Sequence, residues 1–142
     1  MDRVFLDANV LFSSAYSPES RFVRLWQLIG IQLLTSSYAV DEARRNLPND
    51  DQRQRLDRLL STVEISEVPL DPNVVEDVLR DVTLPEKNLP VLAAAITAGA
   101  THLLTGDVRH FGPYFGKTVR GVQIERPGYY IDERERDGTT DG

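Results

Sequence analysis

Strand-like and helix-like runs take turns along this chain, and that alternation constrains its fold more than any other feature. Val4-Phe5-Leu6 is a β-branched and apolar run stopped by Asp7. From Arg21 to Ile29 the apolar residues Phe22, Val23, Leu25, Trp26, Leu28 and Ile29 fall at helical spacing, and Gly30 closes the segment. Ile31 to Thr35 reads as a second strand. Ser36 and Ser37 supply an N-cap for a helix that runs to about Leu47, ahead of Pro48. A further helix spans Asp51 to Leu60, with Leu56, Leu59 and Leu60 on one side. Val63 to Leu70 reads as a strand, and Asp71-Pro72 opens a helix through about Val82. Leu89 to Ala98 is apolar all round, so it is a buried helix, with Gly99 at its C′ position. Strands at His102 to Thr105 and Val119 to Glu125 complete the series. Such alternation predicts an α/β fold, a central parallel sheet of about five strands flanked by helices on both faces. Ligands of these sheets collect beyond the carboxyl ends of the strands.

Composition narrows what the site can be. The chain has 142 residues, a length for one domain, and no cysteine, so disulfides, thiolate metal sites and a cysteine nucleophile are excluded. With only His102 and His110, a multi-histidine centre is excluded too. No apolar run reaches the roughly 18 residues that span a membrane, and the N-terminal run is too short for a secretory signal. A soluble, cytoplasmic protein is expected. The net charge is −6, and half of it lies in Asp132 to Gly142, where five acids face two arginines. The expected organisation is a domain over 1–131 and an acidic, disordered tail over 132–142. The acidity excludes a broad basic face for nucleic acid, so individual carboxylates are what count.

Asp7 follows the first strand and Asp107 follows Leu103-Leu104-Thr105-Gly106, so both project from strand carboxyl ends. Each alone is simply a turn residue or helix N-cap. Held close together, two carboxylates repel unless a cation neutralises them, and oxygen ligands of this type suit Mg²⁺ or Mn²⁺. On the helix after the second strand, Ala39, Val40, Ala43 and Leu47 share the inward face. At about 100° per residue, Glu42 lies on the border of that face and Asp41 points to solvent. Glu42 is therefore the third candidate, and its simpler reading is a surface glutamate beside Arg45 or Asn46.

Together these segments resemble the PIN-domain family of metal-dependent ribonucleases, which includes many VapC-like toxins of toxin–antitoxin pairs. The resemblance is carried by Phe5-Leu6-Asp7-Ala8-Asn9-Val10-Leu11-Phe12-Ser13, by Leu34 to Ala43 with Arg45-Asn46-Leu47, by Leu89-Pro90-Val91-Leu92-Ala93-Ala94-Ala95-Ile96, and by Leu103-Leu104-Thr105-Gly106-Asp107-Val108-Arg109-His110-Phe111. It spans residues 4 to about 126. It implies a metal-dependent endoribonuclease that hydrolyses RNA phosphodiesters with Mg²⁺ or Mn²⁺, held by Asp7, Glu42 and Asp107 as catalytic and metal-binding acids. It further implies that Asn9 and Thr105 orient those acids by hydrogen bonds, that the chain forms a homodimer, and that a cognate antitoxin masks the cleft.

One position departs from the family pattern. The family's remaining acid stands just before the Leu-Pro of the buried helix, where this chain has Asn88. Asn88 suits the N-cap of that helix. Its amide oxygen also suits a hard cation but brings no charge, and Glu86 is the nearest acid that can substitute. Arg109, His110, Lys117 and Arg120 follow the last acid and are candidates for phosphate contacts. Trp26, Tyr38, Tyr114 and Phe115 are candidates for base stacking, while His102, entering a buried strand, reads as structural. Two other readings follow. A PIN-like domain kept for RNA or protein binding accounts for Asn88. A haloacid-dehalogenase-type phosphatase is suggested by Asp7-Ala8-Asn9, although that motif needs an aspartate where Asn9 stands.

Overall fold

In the computed structural model, which describes residues 1–67 and 69–137, the strands form one sheet in the order β3-β2-β1-β4-β6-β5. They are β1 (Asp2–Leu6), β2 (Ile31–Ser36), β3 (Glu64–Ser66), β4 (His102–Leu104), β5 (Thr118–Val119) and β6 (Val122–Glu125). All neighbours pair in parallel except β5, which adds an antiparallel edge to β6. The expected α/β architecture is therefore present, with one strand more than the alternation indicates. The extra strand arises because Arg120 (φ 51°) and Gly121 (φ 84°) both take left-handed conformations. Two such residues make the tight turn that suits a hairpin, so the run expected as one strand folds back on itself.

The helices are α1 (Ala8–Tyr16), α2 (Ser37–Asn46), α3 (Asp50–Leu60), α4 (Pro72–Asp81), α5 (Leu89–Thr97), α6 (Val108–Phe111) and α7 (Pro127–Arg136). Residues Arg21–Gln27 wind as a 3₁₀ segment and not as the expected α-helix. The α1 helix is absent from the sequence reading, and β3 is shorter than the strand expected over Val63 to Leu70. The α7 helix carries Asp132 to Arg136, which the sequence reading assigns to the tail. Tyr130 and Ile131 bury into the core ahead of them. Glu135 then pairs with Arg24, and Arg134 Nη2 donates to the Ile29 carbonyl at 3.1 Å. The end of that expected tail, 138–142, lies outside the described residues.

Alternation along the strands divides the core between the two faces of the sheet. Val4, Leu6, Leu33 and Leu104 point into one cluster, closed by Ala15 of α1, Val40 of α2, Leu56 of α3 and Ile131 of α7. Phe5, Leu34, Leu103 and Ile124 point into the other, closed by Val78 of α4 and Leu92 of α5. Strands apolar on both faces are what a covered parallel sheet requires. Each of these buried Val, Leu, Ile and Phe side chains contributes roughly 1.5–3 kcal/mol of hydrophobic stabilisation. The chain runs from β1 outward to β3 and then crosses to β4 on the other side of β1. The carboxyl ends of β1 and β4 thus bound the crevice where the strand order reverses, the place such sheets use for ligands. Among the described residues no helix is long and apolar enough to cross a membrane.

Candidate active site

The register of the two central strands brings the first site together. Leu6 pairs with Leu104, and the Asp7 amide donates to the Leu104 carbonyl at 3.1 Å. Asp7 thereby lies beside Thr105, although 98 residues separate them. Asp7 leaves the strand as the N-cap of α1, its Oδ1 accepting from the Ala8 amide at 2.7 Å. Its Oδ2 accepts from Thr105 Oγ1 at 2.8 Å and from Asn9 Nδ2 at 3.2 Å. Thr105 is fully buried, and its hydroxyl also accepts from the Asp107 amide at 3.1 Å and from Asn9 Nδ2 at 3.3 Å. Asn9 Oδ1 in turn accepts from the Gly106 amide at 2.8 Å. Asn9 and Thr105 thus tie the two strand ends to each other as well as to Asp7.

Asp107 caps α6, Oδ1 accepting from the His110 amide at 3.1 Å. Its Oδ2 takes two side-chain donors, His110 Nδ1 at 2.9 Å and Asn88 Nδ2 at 3.0 Å. An ionised carboxylate only accepts, so this contact calls for the His110 proton on Nδ1. Burial pushes the Asp107 carboxyl up, but the His110 side chain and amide, with Asn88, outweigh it and hold the group below its ordinary range. Asp7 goes the other way. Burial pushes its carboxyl up, the Thr105 and Ala8 bonds oppose this, and the charges of Glu42 and Asp107 push it further up.

Glu42 reaches the same place from α2. Ala39, Val40 and Ala43 are buried, Asp41 is exposed and Glu42 is half-buried on the edge between them, as helical spacing predicts. Asp7, Glu42, Asn88 and Asp107 all line one cleft with a volume of about 780 Å³. Its apolar walls include Phe12, Val91 and Ala94, and Tyr38, 62% exposed, stands at its side.

Asn88 differs from its expected capping role. It ends a 3₁₀ turn (Glu86–Asn88), has right-handed helical angles (φ −95°, ψ −15°) and makes no side-chain cap on α5. The preceding turn already carries the chain into the helix, which leaves the side chain free to bond Asp107. Its Oδ1 is buried without a hydrogen-bond partner. Glu86 is exposed and does not line the cleft.

None of the four residues considered for phosphate contacts lines the cleft. Arg109 and Lys117 are exposed and away from the cleft, and Arg120 pairs with Asp81 at 2.6 Å. His110 is taken up by Asp107. Of the aromatic candidates only Tyr38 lines the cleft. Trp26 Nε1 donates to the Leu59 carbonyl at 2.9 Å, the Tyr114 hydroxyl accepts from the Thr83 amide at 2.7 Å, and Phe115 lies beneath Arg126. His102 sits in a polar corner with Asp2 and Tyr130. Two charged cleft residues escaped the sequence reading, Glu67 and Lys87. A strand expected through Leu70 hides Glu67 within it. Ending it at Ser66 puts Glu67 at a strand carboxyl end, the same signal that marks Asp7.

The donor set is all oxygen, which suits a hard divalent cation. Among the described residues no three acids or histidines stand close enough to form a ready-made cage. Mg²⁺ does not need one, because it keeps several waters and uses one or two carboxylates together with substrate phosphates. The unpartnered Asn88 Oδ1 and the mutual repulsion felt at Asp7 fit such an ion.

A family model described as PIN domain matches residues 3–109. Among solved structures, that of VapBC2 from Rickettsia felis bound to a DNA fragment from their promoter is similar in fold, with a TM-score of 0.59 and 14% identity. The match covers 87% of this chain and 98% of that one. No curated protein matches.

Proposed function

This chain belongs to the PIN-domain family, and on that premise we propose that it is a Mg²⁺- or Mn²⁺-dependent endoribonuclease and the toxin of a toxin–antitoxin pair. The observation that carries this reading is the opening of Asp7, Glu42 and Asp107 onto one cleft at the reversal point of the sheet. Asp7, Glu42 and Asp107 hold the ion through carboxylate oxygens, and Asn88 Oδ1 adds a neutral donor. The chemistry that a divalent ion held by these residues would supply is polarisation of the scissile phosphate and activation of a water. Thr105 and Asn9 fix the Asp7 carboxylate, while His110 and Asn88 fix Asp107, so neither acid has to reorganise as charge develops. The products are two RNA fragments, formed by adding water across one P–O bond.

The reading extends to a second copy of the chain and a small antitoxin as partners, and the likeness to VapBC2 supports the latter. Cleavage of single-stranded RNA that requires added Mn²⁺ or Mg²⁺ and stops in EDTA is the expected result. Asp7→Asn and Asp107→Asn each lower the rate by about 10²–10³. Full activity in either variant overturns the assignment. Asn88 favours a second reading, RNA binding without cleavage, because an amide stands where the family has an acid. Absence of Mg²⁺ or Mn²⁺ binding in calorimetry at millimolar metal, together with RNA binding and no cleavage, supports that one.

A further inference from the structure

We propose that Lys87 is the phosphate-binding cation of the cleft. This deepens the ribonuclease reading and rests on it. Four carboxylates line the cleft, those of Asp7, Glu42, Glu67 and Asp107, and Lys87 is the one cationic side chain among its described lining residues. An RNA strand brings further negative charge, and Lys87 is the positive charge that the protein itself sets at the wall.

The backbone beneath Lys87 is clamped. The Asn88 amide donates to the Pro85 carbonyl at 2.8 Å, and the Asn88 side chain is bonded to Asp107 at 3.0 Å. Lys87 is therefore held one residue from a group that touches the last carboxylate, while its own long stem is free to turn. Its ammonium makes no ion pair or hydrogen bond among the described residues. Elsewhere on the surface several arginines are engaged, Arg3 with Glu64, Arg44 with Asp57 and Arg120 with Asp81. A compact, mobile ammonium suits a phosphate whose position shifts between substrate and product. Lys117, the chain's other lysine, lies away from the cleft and serves as the control.

The test is fluorescence anisotropy with a labelled single-stranded oligoribonucleotide. Ca²⁺ replaces Mg²⁺ so that binding is read without turnover, and the RNA is recovered intact as a check. Lys87→Gln is expected to weaken binding about fivefold to tenfold and to reduce the slope of log affinity against log salt by about 0.7, one phosphate contact on a single strand. Lys87→Arg retains most of the affinity, and Lys117→Gln binds as wild type. Equal affinity and equal slope for Lys87→Gln, or an equal loss in Lys117→Gln, overturns the role of Lys87 and leaves the ribonuclease reading standing. Failure of the wild-type chain to bind RNA overturns both.

Discussion

Asn88 and Asp107 are joined by a hydrogen bond from Nδ2 to Oδ2, 3.0 Å long, where α5 begins and α6 is capped. The amide does in the metal-free protein what a carboxylate at the same place would not. It donates a hydrogen bond that stabilises the ionised Asp107 and leaves its own oxygen facing no partner.

Replacing the amide by an acid tests this directly. Asn88→Asp sets two carboxylates against each other, so the metal-free protein loses about 1–3 kcal/mol. In the proposed metal site the same change raises Mn²⁺ affinity by about tenfold, through added ligand charge. Thermal melts in EDTA and titration calorimetry with Mn²⁺ read the two effects. A variant that is destabilised and binds no better removes Asn88 from the metal site.

Thr105 is the hub of the polar network, bonded to Asp7, Asn9 and the Asp107 amide. Thr105→Val keeps its shape and removes the hydroxyl, leaving buried polar groups without partners. The expected cost is about 1–3 kcal/mol of stability, with a fall of about 10- to 100-fold in metal affinity or activity. Thr105→Ser restores most of both. Denaturant melts and RNA cleavage assays measure them.

His102 gives a pH dependence that is independent of the cleft. Burial holds its imidazole below the ordinary value of 6.5, against the opposing pull of Asp2 and Glu125. The unfolded chain therefore binds this proton more readily than the folded one. Stability from this residue is complete above about pH 6.5 and declines as the pH falls toward the lowered folded value. His102→Gln is expected to flatten the fall in melting temperature between pH 7 and pH 5. An unchanged slope removes His102 as its source.

Gly121 sits at φ 84° with open space where a Cβ would go. Gly121→Ala therefore pays only for the backbone, about 1–2 kcal/mol. Urea unfolding checks the value.

Much of the sheet was readable because Val4-Phe5-Leu6, Ile31 to Thr35 and His102 to Leu104 are continuous apolar runs bounded by polar residues. The placement of Glu42 was readable because helical spacing needs only the positions of its buried neighbours Ala39, Val40 and Ala43. Helix α1 is not, because an N-cap and a turn residue are equally open to Asp7 from local sequence, and its bond to the Ala8 amide lies in side-chain geometry. The absence of a cap at Asn88 has a related reason. Local rules favour an N-cap just before Leu89-Pro90, whereas a partner 19 residues away, Asp107, takes the side chain instead. The hairpin was missed because Arg120 is a residue that rarely takes a left-handed turn. The end of β3 was missed because residues as apolar as Pro69 and Leu70 line a cleft rather than a strand.

The two-residue strand β5 has a consequence beyond topology. It covers one border of the sheet with a strand too short to recruit another. At the opposite border β3 is three residues long, and its Glu64 is held by Arg3 at 2.9 Å. Neither border offers a long, flat row of open amides for a foreign strand. Among the described residues, the folded chain is thus guarded at both borders against edge-to-edge pairing.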